Sequence, residues 1–512
     1  MMEDIIAVLD FGSQYTHLIA RRIRENEVRS DIFPFDTPAK ELTLMDPKGI
    51  VLSGSPASVY DKDAPLCDKK IFDLGIPILG ICYGMQIIAY ILGGSVKKGK
   101  KREYGKTELI IKDKSDLFQG FNDKTIVWMS HGDYVDSVPK GFDVIAESEN
   151  SPIAAMRSKD KKIFGLQFHP EVFHTERGID ILKNFIFNIC NCKSTWKIES
   201  FIEKAISEIK CKVGNEKVLC ALSGGIDSFT TAALIYRAIG ENLTCIFIDH
   251  GLLRKDEAQQ IIKIFNDNFK MNLIYIDASK RFLSRLKGVN DPEEKRRIIG
   301  EEFIKVFTEE SKNLGGFQWL AQGTLYPDVI ESAKAGSIAS RIKTHHNVAG
   351  LPDWMEFKLL EPLRMLYKDE VRKVARLLGL PEDIIRRHPF PGPGLSVRIM
   401  GEVTEEKIKI CREANYIVED ELKRAGLYDK VWQAFAIVGD DKAVGVVGDK
   451  KIFGHIVTIR VVESVDGMTA NWVKLPYEIL EKISNRITNE VPNVTWVSYA
   501  ISSKPPSTIE PC

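Results

Sequence analysis

Short apolar runs that each stop at a glycine or polar residue, followed by segments of helical period, occur in two successive blocks of this chain. That alternation constrains its fold more than any other feature. From residue 4 to about 190, IIAVLDFG, GIVLSG and PILGI are of strand length, while HLIARRIREN and CYGMQIIAYILGG have helical spacing. Near-continuous apolar strands are buried on both faces, so the pattern predicts parallel sheets covered by helices. It restarts at KVLCAL (217–222) and continues through FTTAALIYRAIG, LTCIFIDHG, DEAQQIIKIFNDNF, LIYIDAS and WLAQGT. RHPFPGPGLSVR (387–398) is too rich in proline and glycine for helix or strand and marks a boundary. Beyond it, the helical EEKIKICREANYIVEDELKRAG is followed by the β-rich AVGVVG, IVTIRVVES and WVSYAIS. Three domains are expected, 1–192, 193–387 and 388–512: two α/β domains with mainly parallel sheets, then a smaller α+β domain.

Lys plus Arg and Asp plus Glu number 71 each, so no net field favours a nucleic acid. No window approaches the ~20 apolar residues of a membrane span. MMEDIIAVLDFGSQ opens acidic with an apolar run of strand length, unlike a secretory leader. The nine cysteines are odd in number and scattered, so reduced thiols and a cytoplasmic location are expected. Cys190-Asn191-Cys192 is the one close pair; without nearby histidines it reads as a helix end, not a metal site.

Gly80-Ile81-Cys82-Tyr83-Gly84 places a cysteine between an apolar strand and a helix, the thiol form of a nucleophile elbow. The glycines permit a cramped turn, and the helix N-terminus favours a thiolate. A base and its orienting partner are available in Gln167-Phe168-His169-Pro170-Glu171, where extended backbone points His169 and Glu171 to one side. GICYGMQ with QFHPEV resembles the class I glutamine amidotransferases, whose Cys-His-Glu triad releases ammonia from glutamine. The resemblance implies that Cys82 attacks the glutamine amide, His169 shuttles the proton and Glu171 holds the imidazole. It also implies an oxyanion site at the N–H groups of Gly54, in Ser53-Gly54-Ser55-Pro56, and Tyr83. Gln86 and the SHGD segment with His131 match the glutamine pocket.

SGGIDS follows strand KVLCAL and opens a helix, exposing consecutive backbone N–H groups that can cradle phosphates. No GK[ST] follows, and G-x-G-x-x-G is not matched. The loop resembles the SGGxDS loop of ligases that split ATP into AMP and pyrophosphate. By that resemblance Ser223, Gly224, Gly225 and Ser228 hold phosphates, and Asp227 helps to hold Mg²⁺, a hard cation suited to oxygen ligands.

NDPEEKRRIIGEEF, QGTLYPDVIES, IKTHHN, RHPFPGPGLSVR, VDGMTANW and SSKPPSTIE resemble, in order and over nearly the whole length, the glutamine-hydrolysing GMP synthases. This implies L-glutamine, ATP and xanthosine 5′-monophosphate (XMP) as substrates, GMP as product, and dimerisation through the C-terminal domain. Asp328, Glu331, Lys343, Thr344, His345 and His346 would belong to a lid over the adenylating site. Lys504 and an arginine of EEKRRIIG, Arg296 among them, would meet the XMP phosphate, with Thr508, Ile509 and Glu510 completing the pocket wall. The chain departs from the family pattern at Pro511-Cys512, where an aromatic and an acid are usual, and at Ala500, where an Asp is common.

Overall fold

The computed structural model describes residues 3–159, 162–269, 271–334, 357–447, 449–464 and 469–512, excepting the side chains of 100–102, 268, 331–334 and 447. The chain divides into two compact units, Met1–Phe201 and Ile202–Cys512.

The first unit is built on β1 (Ile5–Asp10), β2 (Arg29–Pro34), β3 (Gly49–Leu52), β4 (Ile78–Ile81), β5 (Ser95–Ile111), β6 (Lys124–Ser137), β7 (Phe142–Ser148), β8 (Ala155–Ser158) and β9 (Ile163–Leu166). They form one nine-stranded sheet in the order β2-β1-β3-β4-β9-β8-β7-β5-β6. β2, β1, β3, β4 and β9 pair in parallel. β1, β3, β4 and β9 are buried at every position, as their unbroken apolar runs require. The other strands add an antiparallel extension ending in the long β5–β6 ribbon. Strand β5 is not marked in the sequence, because lysine-rich SVKKGKKREYGKTELII hides the apolar alternation of a strand. Leu9, Leu52, Ile78, Met85 and Ile88 pack the core beneath the parallel half.

The second unit carries two sheets. β10 (Val218–Leu222), β11 (Leu243–Asp249), β12 (Asn272–Asp277), β13 (Trp319–Ala321) and β14 (Lys358–Leu360) are all parallel, in the order β12-β11-β10-β13-β14. The order reverses at β10: the chain runs outward through β11 and β12, then returns to β13 on the opposite side. Open α/β sheets bind ligands outside the strand ends at such a switch point. The second sheet consists of β15 (Gln433–Val447), β16 (Lys450–Glu463), β17 (Asn471–Trp472) and β18 (Val494–Tyr499), backed by helices Glu405–Arg424 and Tyr477–Glu490. Residues 193–387 and 388–512 share an apolar core in which Leu219, Ile246, Phe282 and Ile299 are continuous with Leu395, Ala414, Val457 and Ile483.

Candidate active sites

β4 ends at Ile81 and the next helix, Tyr83–Ile91, begins two residues later. Cys82 makes the turn between them with φ +55°, a left-handed conformation that costs a non-glycine residue about 1–3 kcal/mol. Three constraints hold it there. The Cys82 N–H donates to the Leu166 carbonyl at 2.6 Å, across from β9. A Cβ on Gly80 would lie 2.5 Å from the Gly84 backbone, and a Cβ on Gly84 would lie 2.3 Å from the Leu52 carbonyl oxygen. The glycines flanking the cysteine are therefore needed for close backbone approach.

His169 and Glu171 follow β9, and Glu171 Oε1 lies 2.6 Å from His169 Nδ1. Both are buried. Burial alone would push the imidazole pKa down, but Glu171 and the adjacent Cys82 outweigh it and lift the pKa from 6.5 to about 10. The ring is fixed by its backbone: the His169 N–H donates to Trp128 O, and Thr175 Oγ1 donates to His169 O at 2.6 Å. Arg22 Nε donates to the Glu171 carbonyl at 3.0 Å. Gly54 is brought beside this ring, where a Cβ would stand 3.5 Å from His169 Cε1. Tyr83 occupies the first helical position, whose N–H has no intrahelical acceptor.

The remaining pocket residues have their polar groups committed to the protein. Gln86 Nε2 donates to Asp133 O at 2.8 Å. His131 places Nδ1 3.0 Å from that same carbonyl and Nε2 3.2 Å from Glu103 Oε2. They shape the middle of β6, where Ser130 O lies 3.7 Å from Cys82 Sγ.

In the second unit, Ser223 to Gly225 link β10 to helix Ile226–Ile239 at the switch point. Gly224 has φ +79°. Ser228 Oγ ties the turn, accepting from Ser223 N at 3.2 Å and donating to Gly225 O at 2.9 Å. Asp227 Oδ2 accepts from Lys368 Nζ at 2.6 Å, while its Oδ1 is buried with no hydrogen-bond partner among the described residues. An unpaired carboxylate oxygen beside a glycine-rich turn fits Mg²⁺, which takes one or two carboxylates together with substrate phosphates. Among the described residues no cluster of three or more His, Cys, Asp or Glu could hold a metal alone.

Of the lid residues, Asp328 Oδ2 accepts from Leu325 N at 3.1 Å, at the start of helix Tyr326–Lys334. The side chain of Glu331, and Lys343, Thr344, His345 and His346 entirely, lie outside the described residues. The C-terminal tail gathers the other candidates. Arg296 Nη2 donates to Cys512 O at 2.6 Å. Glu510 Oε1 accepts from Gln433 Nε2 and lies 3.7 Å from Arg398 Nη2. Lys504 pairs its backbone with Ala470. Thr508 and Ile509 present their carbonyls to Arg460, which also reaches Ser502 O at 3.1 Å.

Gln167, Lys368, Gln433 and Arg460 were not singled out from sequence. Two left a local signal. Lys368 is the first residue of a helix, where a cation opposes the dipole, and Arg460 interrupts the apolar strand IVTIRVVES.

The class-I glutamine amidotransferase family model matches residues 7–189, the NAD synthase model 195–298 and the GMP synthase C-terminal domain model 420–511. The chain is 57% identical over 507 residues to a GMP synthase [glutamine-hydrolyzing] of Caldanaerobacter subterraneus subsp. tengcongensis, covering 99% of each protein. It is 56% identical to the protein so named from Carboxydothermus hydrogenoformans, over 99% of this chain and 100% of that one. With that of Caldicellulosiruptor saccharolyticus it shares 55% identity across both full lengths. On likeness of this extent, the chain belongs to the family of glutamine-hydrolysing GMP synthases.

Proposed function

We propose that the chain converts XMP to GMP, taking ammonia from L-glutamine and cleaving ATP to AMP and pyrophosphate. In this reading residues 1–192 are the glutaminase, 193–387 the adenylating domain and 388–512 the XMP-binding and dimerisation domain. Cys82 passes its proton to His169 and attacks the glutamine side-chain carbonyl, whose oxyanion meets the N–H groups of Gly54 and Tyr83. His169 returns the proton to the departing ammonia, and water then hydrolyses the thioester to glutamate. Glu171 orients the ring throughout. Gln86 and His131 act by shaping the wall that receives the glutamine.

In the second unit the N–H groups of Gly224 and Gly225, with Ser223 and Ser228, hold the β- and γ-phosphates. Asp227 would hold Mg²⁺, which neutralises phosphate charge, and Lys368 supplies a cation of the protein's own beside it. Arg296, Lys504 and Glu510, with Thr508 and Ile509, receive XMP, and Asp328, Glu331, Lys343, Thr344, His345 and His346 belong to the lid. The XMP 2-oxygen is a poor leaving group. Adenylation converts it into a good one, and AMP departs as ammonia attacks.

One observation carries the reading: the same chain holds a cysteine elbow with a 2.6 Å His–Glu pair and a serine–glycine turn at a topological switch point. Incubation with XMP, ATP, Mg²⁺ and glutamine should yield GMP, AMP and glutamate; ADP in place of AMP would overturn it. We further infer a homodimer in the cytoplasm. Support for the dimer comes from the C-terminal sheet, which exposes Val444, Val446, Phe453 and Trp496. Sedimentation as a monomer at micromolar concentration would exclude it.

A further inference from the structure

β4 and β9 are neighbours in parallel register, Ile81 opposite Leu166, so Cys82 and Gln167 occupy the next step beyond each strand. Gln167 Nε2 lies 3.8 Å from Cys82 Sγ. The side chain is wholly buried, and among the described residues its enclosed Oε1 has no hydrogen-bond partner. The neighbouring sulfur decides which end of a buried amide belongs there. In the thiol form the hydrogen has an acceptor, Ser130 O at 3.7 Å, so the sulfur can accept from the Gln167 amide. In the thiolate form an amide N–H is attracted, whereas the reversed amide would turn an oxygen lone pair onto negative charge.

We propose that Gln167 is a further catalytic residue of the glutaminase: its amide donates to Cys82 Sγ and stabilises the negative charge left when the thiol proton passes to His169. The assignment rests on the glutaminase reading above. Because Gln167 has no exposed surface, it acts on the sulfur from inside the protein and does not line the space that glutamine enters. Its removal should slow the chemistry and leave substrate affinity nearly unchanged.

The test measures Gln167→Met, which keeps length and bulk but has no donor, and Gln167→Glu, which keeps shape and replaces the amide by an acceptor. In full-length protein, iodoacetamide alkylation of Cys82 at fixed pH should slow about ten- to hundredfold in both, the scale of a hydrogen bond to a charged group. Glutaminase kcat should fall by a similar factor, with KM for glutamine within about twofold. Ammonia-driven GMP synthesis should be unchanged. Alkylation and kcat within twofold of wild type in a folded variant would overturn the proposal, as would a loss confined to KM. A melting scan decides which variant is folded; should Gln167→Met unfold, the isosteric Gln167→Glu decides alone. Cys82→Ala separates the two readings. If it retains glutamine-driven synthesis, the glutaminase assignment fails; if it is inactive while Gln167→Met is fast, only the Gln167 role fails.

Discussion

His169 is enclosed so fully that burial by itself would expel a proton from the ring, and the carboxylate at 2.6 Å reverses that balance. The consequence is a stability term with a defined pH window. A pKa raised from 6.5 to about 10 contributes stability that is complete below pH 6.5 and is lost as pH rises through about 10. Glu171→Gln removes the charge that raises it. Urea melts should show the variant less stable by about 1.5–3 kcal/mol near pH 6, with the gap narrowing steadily toward pH 10. A gap that stays constant or widens would contradict the pairing. Asp227 makes a contrasting use of a carboxylate, with one oxygen on Lys368 and the other without a partner among the described residues. Asp227→Ala should abolish AMP formation while the protein melts within a few degrees of wild type. Formation of AMP at the wild-type rate with Mg²⁺ would remove Asp227 from the phosphate site.

The elbow is a property of two elements in contact. Its two glycines answer different neighbours, since Gly80 faces the backbone of Gly84 and Gly84 faces the Leu52 carbonyl on β3. Gly84→Ala must push the helix off the sheet. A loss of about 1–3 kcal/mol is expected from such overpacking, with glutamine-driven synthesis reduced and ammonia-driven synthesis kept. Comparison of the two activities on one preparation tests this, and equal loss of both would refute it. The tail depends on an element in another way. Among the described residues it has no ladder of its own beyond the Lys504–Ala470 bridge, and one β16 side chain, Arg460, gathers Ser502, Thr508 and Ile509 through their carbonyls. Arg460→Met should raise KM for XMP at least tenfold and leave KM for ATP near wild type; steady-state kinetics in each substrate would show whether it does.

At the scale of the whole molecule, the described residues of the two candidate sites fall in different compact units, Cys82, His169 and Glu171 in the first and Ser223 to Ser228 in the second. Cys82→Ala should therefore lose glutamine-driven GMP formation to background and recover it with ammonium at alkaline pH, close to the wild type's ammonia-driven rate. Failure of ammonium to rescue a folded variant would give Cys82 a role in the synthetase reaction. The alternation of strands and helices was legible along the chain because parallel strands buried on both faces are written as unbroken apolar runs, as in IIAVLD and ILGI. Strand β5 was not, because its lysines interrupt the alternation.

What the sequence determined alone was the chemistry whose backbone requirement is local. A cysteine between Gly80 and Gly84, a serine–glycine turn after an apolar strand, and a histidine two residues from a glutamate each specify their geometry within a few positions. Tertiary structure decided what those groups touch. Lys368 reaches Asp227 from 141 residues away, Gln167 reaches Cys82 from 85, and Arg460 holds Ile509 from 49. Such pairings come from strand order and register, and side-chain pattern fixes which face of a strand is buried without naming the strand that lies beside it.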